Sequence, residues 1–265
     1  MSPLHADQIT LRHGQRTVSQ ALSLSIPDGS FTVIVGPNAC GKSTLLAALA
    51  RLLVPTQGQV ILDGNVIHQL PSKAVARRLG LLAQSAQAPE GIKVAELVAR
   101  GRFPHQGWLR QWSAADESAV DAALAATGLQ GLADRPVDGL SGGQRQRVWI
   151  AMVLAQETPL LLLDEPTTFL DIAHQIELLE LLAELNRQGR TIVAVLHDLN
   201  QACRYASHLV AMKDGAIIAA GAPAEVFTEH LVDAVFGIDA LIMADPVSGT
   251  PMLVPRGVSP RVAGA

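Results

Sequence analysis

The chain has 265 residues, 49% of them apolar and 17% charged, which is enough for one sizeable core and excludes global disorder. Its formal net charge of −4 argues against a nucleic-acid partner, which wants a basic face. The two cysteines, Cys40 and Cys203, supply no disulfide framework and suit a reducing compartment. Residues 1–14 hold no apolar run, so no signal peptide is expected. No stretch reaches the roughly 18 apolar residues of a membrane span; if the protein acts at a membrane, another chain supplies the spanning part.

From Gln8 to Ile26 apolar and polar residues alternate around His13-Gly14-Gln15, the pattern of antiparallel strands joined by a turn. Phe31–Val35 is a short β-branched run expected as a buried strand, and a Leu- and Ala-rich helix is expected over Thr44–Leu53. Val60–Leu62 reads as a strand followed by an Asp63-Gly64 turn, and Leu79–Ala83 as another short apolar strand. A helical piece is expected near Val94–Arg100. Ser113–Thr127 reads as a helix with Ser113 as N-cap, Asp116 and Glu117 in its first turn, and Gly128 as its stop. Further helices are expected over Gln144–Ala155 and Ile172–Arg187, with buried strands at Leu160–Leu163 and Thr191–Leu196. Strand–helix–strand order implies parallel strands and crossover helices, an α/β fold. Beyond Pro223, Ala224–Phe236 reads as one helix and Leu241–Pro255 as a hairpin turning at Pro246–Thr250. The last ten residues are expected to fray. The chain therefore reads as one domain over residues 8–240, with a C-terminal hairpin and tail over 241–265.

Gly36-Pro37-Asn38-Ala39-Cys40-Gly41-Lys42-Ser43 matches G-x-x-x-x-G-K-[ST] and lies between an expected strand and an expected helix, the context that the motif needs. Backbone N–H groups of such a loop hold anionic oxygens, its glycines allow close approach, and the helix N-terminus favours negative charge. Lys42 reaches the β- and γ-phosphates, and the Ser43 hydroxyl is a Mg²⁺ ligand. The bland alternative is a glycine-rich turn with a chance lysine. The motif alone says only that a nucleoside triphosphate binds.

Pro159 to Pro166 is an apolar strand ending in two acids, Asp164 and Glu165. Asp164 suits a Mg²⁺ role behind the ion's direct ligands or through water, and Glu165 suits a base that orients and polarises an attacking water. The competing reading is that Asp-Glu-Pro caps the next helix.

Leu140-Ser141-Gly142-Gly143-Gln144 opens the helix that runs to Ala155 and is a second anion-binding helix tip. Here the chain resembles the ABC ATPase family, whose signature motif this string matches 23 positions before Asp164. The resemblance implies a P-loop NTPase core with a mostly parallel sheet, an N-terminal antiparallel β subdomain, and a helical signature subdomain at about residues 87–157. It implies a head-to-tail homodimer in which Ser141, Gly142, Gly143 and Gln144 act in trans on the γ-phosphate held by the partner copy's Gly36–Thr44 loop. By the same resemblance Gln84 is the Q-loop glutamine, a Mg²⁺ and water contact, and His197 is the switch histidine that holds the γ-phosphate and the attacking water. Asp171 matches the D-loop aspartate that crosses to the other subunit. His13 stands where the family usually has an aromatic residue stacking on adenine. Cys40 stands where Gly or Ser is frequent, either as a small residue that fits or as a thiol whose pKa is lowered by Lys42 and the helix N-terminus.

Arg100 to His105, Thr167 to Asp171, Ala173-His174-Gln175, His197 to Asn200 and Asp245 to Pro251 resemble the branch that imports iron(III)–siderophore complexes, vitamin B12 or haem, the C-terminal string fitting the siderophore members best. That branch implies ATP and Mg²⁺ as cofactors and an integral membrane permease, with Gln87–His105 as the groove for one of its cytoplasmic helices. It also implies a periplasmic or lipid-anchored binding protein, a place on the cytoplasmic side of the membrane, and no nucleic acid. His68, His105 and His174 are then surface or packing residues rather than iron ligands. A soluble ABC ATPase working on ribosomes, DNA or cofactor-assembly scaffolds is the rival class.

Overall fold

The structure is a computed structural model and describes residues 3–84, 88–107 and 112–258. It divides into two compact units, one taking in the chain up to His68 and from Val193 on, the other Gln69–Ile192.

In chain order the first unit opens with β1 (Leu4–His13), β2 (Arg16–Ile26), β3 (Phe31–Val35), α1 (Lys42–Leu49), β4 (Gln57–Leu62) and β5 (Asn65–Val66). The second holds α2 (Ser72–Ala76), β6 (Leu79–Leu82), α3 (Val94–Ala99), α4 (Ala114–Ala126), α5 (Gly142–Ala155), β7 (Leu160–Asp164) and α6 (Ile172–Arg187). Strand β8 (Thr191–Val195) passes from the second unit to the first, which then adds α7 (Leu199–Tyr205), β9 (His208–Lys213), β10 (Ala216–Gly221), α8 (Pro223–Val226), α9 (Glu229–Phe236), β11 (Ile238–Ala244) and β12 (Pro251–Val258).

In the first unit β1 pairs antiparallel with β2 and β4, aligning Leu4 with Ile26 and with Leu62. Alternation puts Leu4, Ile9, Leu11, Leu22, Leu24 and Ile26 in the core. All five residues of β3 are buried; it runs parallel to β9, from Thr32 beside His208 to Val35 beside Ala211. Strands β9 and β10 form a hairpin turned by Asp214 and Gly215. The hairpin of β11 and β12 forms a sheet of its own.

In the second unit β6 runs parallel to β7, Leu79 beside Leu160 through Leu82 beside Leu163. Helices α3 and α4 pack on α5. Gly101 allows the turn after α3 to approach α5, since a Cβ there would lie 2.2 Å from the Met152 carbonyl oxygen. The next residue, Arg102, is buried together with Asp116. Its Nε donates to Asp116 Oδ1 at 2.9 Å, and its guanidinium also donates to the Ala155 carbonyl at 2.8 Å and to Glu157 Oε2 at 2.6 Å.

The α/β architecture with parallel strands, an antiparallel N-terminal sheet and helices is as the sequence implies. Ser113 caps α4 through a box with Asp116, and Gly128 follows the helix at φ 64°. Other elements differ in extent. Helix α1 starts at Lys42 rather than Thr44, directly behind Gly41, and stops at Leu49. The single helix expected over Ala224–Phe236 is two, because Thr228 leaves helical geometry and its side chain accepts from Leu231 N to cap α9. Strand β12 runs to Val258, into the stretch expected to fray; the tail beyond it, and Gln87 of the expected groove, lie outside the described residues. Among the described residues no helix is long and apolar enough to cross a membrane.

Candidate functional site

The phosphate loop leaves the buried end of β3 and enters α1 through backbone that favours glycine. Gly36 has φ 155° and Gly41 φ 108°. A Cβ on Gly36 would meet the Met212 carbonyl oxygen at 2.2 Å and Cys40 Sγ at 2.9 Å. Pro37 is half-buried, Asn38 and Ala39 form the exposed tip, and Ser43 and Thr44 are half-buried in the first turn of α1. Ala39 sits at φ 60°, a left-handed conformation that is strained for a non-glycine residue. Lys42 is 5% exposed and its Nζ donates to the Gly36 and Pro37 carbonyls, both at 2.8 Å. An ammonium held by the loop at the start of α1 is the cationic complement that a triphosphate needs.

Cys40 corrects one expectation. It is buried, and burial raises its thiol above the ordinary value, outweighing the opposing pull of the Lys42 charge. The small-residue reading stands and the lowered-pKa reading falls, because desolvation disfavours the thiolate. Val18 was not anticipated. Its Cγ1 lies 3.0 Å from where a Gly41 Cβ would be, so β2 packs on the loop that His13, exposed at the end of β1, was expected to serve.

In the second unit, Asp164 ends β7 buried and Glu165 follows half-buried at φ 51°. The helix after them is capped by Asp171, whose side chain accepts from His174 N at 3.0 Å. The acid pair therefore does not serve as that helix cap. Gln84 Nε2 donates to Glu165 Oε2 at 3.0 Å, and Thr168 Oγ1 donates to the same oxygen at 3.4 Å. Gln84, Glu165, Gln146, Trp149, Gly142 and Phe169 line one cleft of about 540 Å³.

Ser141 and Gln144 form a reciprocal cap on α5. Gln144 N donates to Ser141 Oγ at 3.2 Å, and Ser141 N donates to Gln144 Oε1 at 3.0 Å. Of the glycines between them, Gly143 is closely packed, and Gly142 has room for a small side chain. A Cβ on Gly142 would lie 3.6 Å from Phe169 Cβ, and one on Gly143 would lie 3.2 Å from the Phe169 carbonyl oxygen. Phe169 is itself 77% exposed at φ 66°. It lies between the Ser141–Gln144 tip and the loop that carries Glu165, and no sequence signal singled it out beyond its membership of the Thr167–Asp171 string. Asp171 also accepts from His174 Nδ1 at 2.8 Å, and the N–H and ring of His174 hold its carboxyl below the usual range. His105 bonds the Gln156 carbonyl at 2.7 Å, a packing role like the one expected. In the first unit, His197 is exposed just after β8.

The family model described as "ABC transporter" matches residues 19–168, a span that holds the phosphate loop, Gln84, the Ser141–Gln144 tip and the Asp164–Glu165 pair. This chain belongs to the ABC transporter family. As an ABC ATPase it is 60% identical over 255 residues to the ferric enterobactin transport ATP-binding protein FepC of Escherichia coli (strain K12), covering 96% of this chain and 94% of that one. It is 55% identical over 258 residues to the probable siderophore transport system ATP-binding protein YusV of Bacillus subtilis (strain 168), covering 97% and 94%. Among solved structures, the dimeric bacterial ABC transporter cassette MJ0796 superposes with a TM-score of 0.75 at 28% identity, over 83% of this chain and 98% of that one. The ABC cassette fold and ATP as the nucleotide follow from these likenesses.

Proposed function

We propose that this ABC ATPase hydrolyses ATP to drive import of an iron(III)–siderophore complex through a separate membrane permease, as one of two identical copies on the cytoplasmic side of the membrane. The observation that carries the reading is likeness along nearly the whole chain to ATP-binding proteins of siderophore systems, C-terminal hairpin included. A periplasmic or lipid-anchored binding protein delivers the cargo to the permease.

The loop from Gly36 to Thr44 holds the triphosphate. Its charge-assisted hydrogen bonds are worth about 1.5–3 kcal/mol each, and Lys42 supplies the positive charge. His13 offers an imidazole face to the adenine. Ser43, Gln84 and Asp164 each offer an oxygen donor, a hydroxyl, an amide and a carboxylate in turn, of the kind a hard divalent cation takes. The Gln84 amide supports this fit, since its nitrogen is turned to Glu165, leaving its oxygen as the ligand atom. If these residues held Mg²⁺, the ion would supply charge neutralisation and polarisation at phosphoryl oxygens.

Glu165 takes the proton of the attacking water, and Gln84 holds the Glu165 carboxylate in orientation. His197 donates to the γ-phosphate. Ser141 N–H and the first turn of α5 act on the nucleotide of the partner copy, with Gln144 and Asp171 at the same junction. Closure of the two copies moves the permease, and release of the cleaved phosphate reopens them.

The test is ATP-dependent uptake of labelled iron(III)–siderophore by vesicles that carry the permease, with the wild-type chain, with Glu165→Gln, and without the chain. Uptake that needs the wild-type chain is expected. Uptake that is equal in all three preparations refutes the reading. Uptake of cobalamin or haem in place of the siderophore would move the cargo within the same branch.

A further inference from the structure

Two of the branch-marking strings, His197 to Asn200 and Asp245 to Pro251, have parts that the nucleotide chemistry does not use. The structure sets Asn200 of the first string against β12, the strand that follows the second. Asn200, the second residue of α7, faces the edge of β12 and takes both backbone groups of Leu253. Leu253 N donates to Asn200 Oδ1 at 2.7 Å, and Asn200 Nδ2 donates to the Leu253 carbonyl at 3.3 Å. The side-chain amide thus stands in for the peptide unit of one more strand, on an edge that would otherwise show unpaired groups. At the hairpin turn, Asp245 Oδ1 accepts from Val247 N at 2.8 Å and Ser248 N at 3.2 Å. These bonds, and lastly the charge of Arg204 on α7, hold its carboxyl below the usual range. The hairpin is therefore tied by hydrogen bonds to the first turn of α7.

Neither partner is sturdy alone. A two-stranded hairpin is marginally stable by itself, and a seven-residue helix such as α7 is far below the length that holds in isolation. In the protein α7 also packs on β3 and β11 on α9, and the Asn200–Leu253 pair joins the two assemblies. The same helix start carries His197. Asp198 caps α7, accepting from Asn200 N at 2.8 Å and Gln201 N at 2.9 Å, and His197 is the residue before that cap. On its other side Leu196 N is fixed to the Ile34 carbonyl at 3.3 Å. His197 therefore sits on a short bridge between the end of β8 and the first turn of α7, and the position of that turn decides where the imidazole stands.

We propose that Asn200 is a positioning residue for hydrolysis: through its two bonds to Leu253, the C-terminal hairpin fixes the first turn of α7 and so holds His197 in place for the γ-phosphate. This rests on the role given to His197 above. Loss of the tie leaves ATP binding intact and lets the imidazole wander, and misplacement by about 1 Å costs roughly 10²-fold in rate.

The experiment measures kcat, KM for ATP and the thermal midpoint of the full chain for Asn200→Ala, Asn200→Asp, Leu253→Pro, His197→Ala and the Asn200→Ala/His197→Ala double variant. Asn200→Ala is expected to lower kcat roughly ten- to hundredfold with KM unchanged. Asn200→Asp keeps the acceptor for the shorter bond and recovers part of the loss. Leu253→Pro removes the same N–H from the other side, at an edge position where proline is tolerated, and reproduces the kcat loss should Asn200→Ala fail to fold. In the His197→Ala background Asn200→Ala is expected to add nothing, as for two residues acting as one unit. Wild-type kcat in Asn200→Ala, or an undiminished further loss in the double variant, overturns the proposal. Wild-type turnover in His197→Ala would instead remove the reading of His197 on which it rests.

Discussion

Gln84 donates its amide to the Glu165 carboxylate across 3.0 Å, joining residues 81 positions apart. This bond sets the orientation of the carboxylate at a residue whose own backbone, at φ 51°, already departs from relaxed geometry. Replacing Glu165 by Gln removes the base and keeps the shape. Turnover is expected to fall roughly 10²–10⁴-fold, the usual loss for a missing general base, while ATP-bound dimer accumulates. Phosphate release and light scattering read the two effects; wild-type turnover would remove Glu165 from the mechanism.

Lys42→Ala takes away the buried ammonium that bridges Gly36 and Pro37. Nucleotide affinity is expected to be lost through two routes, the missing charge and a loosened loop. Titration calorimetry with ATP checks it, and unchanged affinity would count against the loop assignment.

The Arg102–Asp116 pair makes stability depend on acid. Hydrogen bonds from Ser113, then from Arg102, hold the Asp116 carboxyl at about 2, below the ordinary range near 4. A depressed carboxyl contributes stability that is fully present above the unfolded value and is lost as pH falls toward about 2, on the order of 2 kcal/mol in all. Arg102→Ala leaves Asp116 buried without its cation and is expected to cost about 3–5 kcal/mol at neutral pH and to flatten the acid limb. Urea unfolding at pH 7 and pH 3 separates the cases; the same acid sensitivity in both proteins would mean that another group is responsible.

Neither thiol is expected to react in the native protein. Burial raises Cys40, and burial pushes Cys203 up to about 12, so the thiolate is scarce at neutral pH. Iodoacetamide at pH 7 should leave both unmodified by mass spectrometry and label both once the chain is unfolded. Stoichiometric labelling of the folded protein within minutes would contradict this.

The sequence by itself determined whatever depends on neighbours along the chain. Gly36 to Ser43 specifies a turn into a helix because its glycines occupy backbone that other residues avoid. Ser113 and Ser141 announce helix starts because an N-cap bonds only three residues ahead. The apolar runs Val33–Val35 and Leu160–Leu163 announce burial because each of their side chains is a poor ligand for water. The caps that divide Ala224–Phe236 into two helices were equally local. Thr228 is such a cap, accepting from Leu231 N three residues ahead.

Only the tertiary structure decided which distant groups meet. Asp116 looked like a helix-dipole acid and is also the buried partner of Arg102, 14 positions earlier. Asn200 looked like a family marker and is the tie to Leu253, 53 positions later. Phe169 stood out only as a member of the Thr167–Asp171 string, yet its carbonyl oxygen would lie 3.2 Å from a Cβ at position 143 and crowd it. Cys40 shows the same limit in its chemistry, since sequence displays the charge of Lys42 and hides the desolvation that outweighs it. Such pairings depend on the packing of whole elements, and burial sets the sign of a pKa shift only once that packing exists.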